Sequence, residues 1–215
     1  MFYDEKSPDK ALRFGDIVSG YILASPKIKQ PILEKDKHEY NINIELSPFS
    51  AILSPSCSIG EKKITLSPLI LVRKTYFENP YLRNDLTRLN RQMERRYAHN
   101  PEKKEKGKDT AGKDEKYLSE IVWAFVEFYV YDQHEKLPPY TVRLTGGESL
   151  EIRYYMIDFR NIHKIDCDEI TEARCAASRS LVLQLSNSSR RELIEKIKYY
   201  YERENTIPLA IPPKT

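Results

Sequence analysis

Between Phe14 and Arg73 the hydrophobic positions come in short β-branched or alternating runs, punctuated by Ser-Pro and Gly. The segment FGDIVSGYILASP predicts a strand from Asp16 to Leu23, ended by Pro26, whose ring nitrogen supplies no ladder donor. Tyr40, Ile42, Ile44 and Leu46 alternate with Asn41, Asn43 and Glu45, the two-residue period of a strand with one wet face. Ala51 to Leu53 and Ile64 to Val72 read as buried strands, each with a Ser-Pro bend within or beside it. Strands this short and closely spaced favour a small curved barrel, because closure removes the exposed edges that a flat sheet leaves.

The period changes at Asn79. Pro80 suits a first helical position, and Leu82, Leu86, Leu89 and Met93 recur at helical spacing, so Asn79 to Asn100 predicts a helix with Arg88, Arg91, Arg95 and Arg96 on its other face. Pro101 to Lys116 carries many charges and no aliphatic side chain larger than alanine; it cannot offset the entropy of ordering and reads as a mobile loop. Length would admit a helix over Tyr117 to Tyr131, but its aromatic and β-branched content favours a strand after Ile121. YTVRLTGGESLEIRYYMIDF reads as a hairpin turning at Gly146 and Gly147. Ser189 and Glu192 have capping-box spacing, with Leu193, Ile194, Ile197 and Tyr201 as an amphipathic stripe, and the prolines of TIPLAIPPKT cannot continue that helix. The expected organisation is one mainly β domain with helices, an α+β chain over 1–215. It comprises barrel strands at 13–73, a helix and charged loop at 79–116, further strands at 117–165, and a C-terminal helix at 186–204.

Composition narrows the setting. Forty per cent of residues are apolar and 31% charged, enough to bury a core. The most apolar stretch, Ile121 to Tyr131, is interrupted by Glu127 and falls short of the roughly 18 residues a membrane span needs. MFYDEKSPDK mixes both charge signs and lacks the apolar core of a secretory signal, so a cytoplasmic protein is expected. Three cysteines, Cys57, Cys167 and Cys175, suit free thiols in a reducing compartment. A net charge of +3 from 35 basic and 32 acidic residues leaves any attraction to nucleic acid to local clustering.

The strand motifs resemble the SH3-like barrel of the MazF/PemK-type toxin family. Gly15, Asp16, Ile17 and Val18 match its opening strand; Ile52, Leu53, Ser54 and Pro55 match the second element; Leu66, Ser67, Pro68 and Leu69 match the third. A closer likeness is to uncharacterised prokaryotic proteins of the same barrel type, which carry a Ser-x-x-Cys-Asp-Ile segment and end in a Leu-x-x-x-x-Arg-x-x-Leu helix. Here those segments read SPSCSI, with Ser58 where Asp is usual, and LSNSSRREL. The toxin ribonucleases use an Arg before the second strand and a Thr or Ser at the end of the third. The matching positions here hold Pro48, Phe49 and Ser50, then Leu69 and Ile70, and only Ser50 carries a hydroxyl. Cleaving RNA requires a group to handle the 2′-hydroxyl and a cation for the developing charge. Arg13 and Arg73, near strand ends, are the remaining cations, and Cys57 is a fourth weak catalytic candidate. The resemblance therefore implies a non-catalytic binding or interaction module of toxin–antitoxin or defence systems. Its alternative is a divergent, metal-independent endoribonuclease.

Other clusters have ordinary structural readings. Cys57 lies in a turn with no cysteine partner at zinc-site spacing. His163, Asp166, Cys167, Asp168 and Glu169 crowd into HKIDCDE, but neighbours on a strand point to opposite faces and at most half could converge. No Walker loop, GxGxxG, HExxH or GxSxG occurs, so neither a metal nor a cofactor is expected. The 15 tyrosines could stack bases, though most suit a β-rich core. Arg88, Arg91, Arg95 and Arg96 form the candidate surface for RNA, DNA or an acidic protein partner, and a homodimer is admissible. A stripe meeting about three phosphates would bind with a logarithmic salt slope near −2 to −3.

Overall fold

A computed structural model describes residues 1–4, 11–28, 40–45, 47–55, 63–98, 115–166 and 181–205. It is mainly β with a few helices, an α+β protein. The chain groups into two compact units, Met1–Ile70 with Arg160–Asn187, and Leu71–Phe159 with Ser188–Thr215. Among the described residues no helix is long and apolar enough to cross a membrane.

The first unit is built on a five-stranded antiparallel sheet. Its strands are β1 (Ile17–Ser19), β4 (Phe49–Ile52) and β5 (Lys63–Pro68), joined by two strands from far along the chain, β13 (His163–Asp166) and β14 (Leu181–Leu183). Their order is β13-β5-β4-β1-β14, and no closed barrel is seen among the described residues. Gly15 and Gly20, at φ of +86° and +87°, bracket β1. Gly20 therefore breaks the single strand expected from Asp16 to Leu23, and the chain resumes as β2 (Leu23–Ile28), paired with β3 (Tyr40–Glu45). Pro26 lies inside β2 opposite Ile42 rather than ending it; a two-stranded ribbon is all edge, so a missing amide donor is tolerated. The alternation in β3 does not mark a buried side either, since Ile42 and Ile44 are both exposed. Leu12, Val18, Leu23, Ile52, Ile64 and Leu66 form the core of this unit.

In the second unit the expected helix over Asn79 to Asn100 is absent. Leu82, Leu86, Leu89 and Met93 are all buried, as the apolar spacing required, but the backbone reaches those positions by another route. A 3₁₀ turn, Leu86–Asn90, gives way to β7 (Gln92–Glu94) and a second 3₁₀ turn, Arg95–Ala98. Polar side chains bond to backbone here in place of helix propagation. The Asn79 amide oxygen accepts from Tyr81 N at 2.9 Å, and the Asp85 carboxylate accepts from Thr87 N at 3.0 Å. Asn90 then mimics a strand partner: its side chain donates to Val130 O at 2.8 Å and accepts from Val130 N at 2.7 Å.

Beyond Glu115 and Lys116, which open a short helix (Glu115–Leu118) rather than lying in a loop, the strands fall where expected. They are β8 (Ile121–Trp123), β9 (Phe128–Tyr131), β10 (Tyr140–Arg143), β11 (Ser149–Ile152) and β12 (Tyr155–Asp158). β10 and β11 form the expected hairpin, with Gly147 at φ of +82° in its turn. The C-terminal helix, Asn187–Asn205, starts before Ser189, so Ser189 is a buried residue of the helix and not its cap. Its buried face runs Ser189, Leu193, Lys196 and Tyr200, whereas Ile194 and Tyr201 of the expected stripe are exposed.

Candidate functional site

Of the weak catalytic candidates, Ser50 and Arg13 are bound into their own surroundings. Ser50 is 2% exposed on β4, opposite Val18 and Pro68. Arg13 lies beside Asp16, with Nε 3.8 Å from the carboxylate and Nη2 3.5 Å from Leu185 O. Asp16 is wholly buried and accepts from Arg13 N and Gln184 Nε2, each at 2.9 Å, and from Leu185 N at 3.3 Å. In the second unit Arg73 holds its guanidinium 4.7 Å from the centre of the Phe128 ring. Cys57 and Cys167 to Glu169 lie outside the described residues. His163 is buried on β13, its Nε2 2.9 Å from Asn161 Oδ1, and among the described residues no group of three or more His, Cys, Asp or Glu is placed to hold a metal.

The four arginines of the expected face do not form a helical stripe, because the helix is absent, and each meets a carboxylate. Arg88 lies 3.8 Å from Asp85, donates to Tyr81 O and covers the Tyr81 ring, which stacks on Tyr97 at 4.2 Å. Arg91 pairs with Glu192 at 2.9 Å, while Arg96 meets Glu94 at 2.7 Å and Glu115 at 2.9 Å. Arg95 differs from the other three in also lining a cleft.

That cleft follows from the pairing of β7 with β8. Gln92 faces Trp123, Met93 faces Val122 and Glu94 faces Ile121; one step further, Arg95 N donates to Glu120 O at 2.8 Å. This register sets the Arg95 side chain against Glu120, to which Nη2 donates at 2.5 Å and Nε at 3.2 Å. The guanidinium also lies 4.2 Å from the centre of the Tyr117 ring, and Nη1 donates to the Tyr117 hydroxyl at 3.1 Å. Hydrogen bonding to Glu120 raises the pKa of Arg95 further above its ordinary value, so the cation is permanent.

Around these groups Ala98, Val122, Trp123, Ala124, Phe125 and Tyr199 complete a cavity of about 410 Å³. Trp123 and Tyr199 stack with centroids 5.6 Å apart and planes 29° from parallel. Phe125 sits at φ of +51°, a conformation that a bulky side chain adopts only under constraint from its surroundings. Packing against Tyr76 at 5.1 Å and a turn bond from Phe128 N to Phe125 O at 3.1 Å hold it there.

A second feature of this unit is a charge buried next to the 3₁₀ turn. Lys196 is 0% exposed and donates from Nζ to Leu89 O; burial pushes its pKa down to about 7, against the opposing pull of Glu127. Tyr129, also buried, donates its hydroxyl to Ser189 O at 2.8 Å. Burial likewise raises the pKa of Tyr140, which stays a neutral hydroxyl between Val72 N and Tyr154 O.

The residue pattern offers Arg95 as a binding cation and the Tyr199 to Tyr201 cluster as possible base-stacking rings, but does not bring in Tyr117, Glu120 or Trp123. Trp123 is the only tryptophan in the chain, and Tyr199 belongs to the Tyr199 to Tyr201 cluster, so both carried a signal. Joining them requires the β7–β8 register, which residue spacing does not contain. Comparison with protein-family models, with curated proteins and with solved structures finds no match.

Proposed function

We propose that the protein is a non-catalytic binding module, built on a variant of the small SH3-like barrel of the MazF/PemK type and serving a toxin–antitoxin or defence system. The barrel reading is supported by the antiparallel neighbours β1, β4 and β5, which contain or adjoin the GDIV, ILSP and LSPL motifs. The observation that carries the binding reading is the cleft of Arg95, Tyr117, Trp123 and Tyr199, in which one permanent cation and several flat apolar rings share a single concavity. Concave, mostly apolar sites with few polar groups are the usual form of a ligand site. The burial of the Ser50 hydroxyl and the internal bonds of Arg13 support the non-catalytic reading, while Arg73 is exposed beside the Phe128 ring.

Incubating the purified protein with mixed-sequence RNA, with and without divalent metal, tests this reading. Intact RNA is expected. Metal-independent cleavage abolished by Arg13→Ala or Arg73→Ala would establish the endoribonuclease alternative instead.

A further inference from the structure

The structure points to single-stranded nucleic acid as the ligand of the Trp123 cleft, held chiefly by stacking of bases on Trp123, Tyr199 and Tyr117. This rests on the reading of the protein as a binding module and names the ligand of the same site. Three observations carry it.

The first is the chemistry of the walls. Trp123, Tyr199, Tyr117 and Phe125 present ring systems, and the small side chains of Ala98, Val122 and Ala124 leave room between them. A flat unsaturated ring is the shape that continues the offset Trp123–Tyr199 stack. Every base has such a face, so this contact tolerates any sequence.

The second is charge. Arg95 is the charged side chain among the described lining residues, and Glu120 meets its charge, so the cleft suits a neutral planar ring. The Arg95 guanidinium is already stacked on a tyrosine ring and fixed by Glu120, an orientation that also suits stacking on a base or meeting one phosphate.

The third is what surrounds the cavity. Among the described residues Arg95 and Arg96 are offset by Glu94, Glu115 and Glu120, so these ion pairs form no cationic track for a duplex backbone. Bases in a duplex are stacked on one another and cannot enter; only an unpaired strand can place a ring in the cleft. Because Glu120 competes with a phosphate for Arg95, the logarithmic salt slope should be no steeper than about −0.7, shallower than the −2 to −3 of a three-arginine stripe.

Because the protein holds a single tryptophan, its emission reports directly on the cleft. Titration at low ionic strength with oligothymidylate and oligoadenylate of about 12 nucleotides should quench that emission saturably, with a duplex of the same length giving no change. Tyr199→Ala and, separately, the more exposed Tyr117→Ala should weaken the single strands about 5- to 150-fold while leaving the circular dichroism spectrum unchanged. Absence of quenching by either oligonucleotide, equal quenching by the duplex, or full affinity in both folded variants would overturn the proposal. The first of these results leaves the cleft to a protein partner. RNA cleavage in the separate incubation would instead remove the non-catalytic reading, so the two failures are distinguishable.

Discussion

Both units turn polar side chains inward to serve their own backbone, but the second also places aromatic rings and an arginine around an open cleft. Asp16 shows the former arrangement: wholly buried, it is surrounded by amide donors and the Arg13 guanidinium, which together replace the water it has lost. Ser54 acts similarly, accepting from Thr65 N at 2.6 Å, and Ser47 donates to Phe49 O at 2.6 Å. The second unit also buries a charge, but Lys196 donates to a carbonyl, and burial outweighs the pull of Glu127 and lowers its proton affinity. A buried polar group well supplied with partners stabilises one structure. A ring that lines a concavity also presents surface to the solvent, as Tyr117 does at 41% exposure.

The comparison breaks most readily at Asp16. Asp16→Ala leaves several buried donors unmatched and removes one of the two carboxylates beside Arg13, and should cost about 3–5 kcal/mol in urea unfolding. A loss below about 1 kcal/mol would show that the Asp16 network is incidental to the first unit. Lys196→Met sharpens the contrast with the opposite sign. The folded-state pKa of Lys196 lies below its ordinary value of 10.5, so the unfolded chain holds the extra proton between about pH 7 and 10.5, and stability rises with pH across that window. Below pH 7 the ammonium is charged in both states and its burial counts fully against folding. The methionine variant should therefore gain about 1–4 kcal/mol at pH 6 and lose the rise above pH 7, as read from thermal unfolding across pH. The smallest change belongs to the surface. Arg91→Gln removes an exposed pair with Glu192 and should shift stability by no more than about 0.5 kcal/mol.

How far the residues announced this arrangement differs from one element to the next. The Gly146–Gly147 hairpin, the strand after Ile121 and the C-terminal helix were legible because turn chemistry and side-chain period act over a few neighbours. Leu82, Leu86, Leu89 and Met93 announced their burial correctly and their conformation wrongly. Spacing alone could not show that the Asn90 side chain would replace a strand at Val130, 40 residues away, and end the helical turn. The sheet edges were hidden for the same reason, since β13 joins a strand about 100 positions earlier in the chain and β14 one still further back. Lys196 was masked by its chemical type: on the face it shares with Leu193 and Tyr200, a lysine reads as a boundary residue until burial is known. For the cleft, Arg95 was legible as a surface cation, but its pairing with Glu120 and its place beside Trp123 depend on strand register.

Photocrosslinking tests the assignment of binding to the second unit most directly. Single-stranded oligonucleotides carrying 5-bromouridine, irradiated with the intact protein and followed by mapping of the modified peptides, should place adducts on Trp123, Tyr199 or Tyr117. Efficient adducts confined to residues of the first unit, with these three aromatic residues unmodified, would contradict the account.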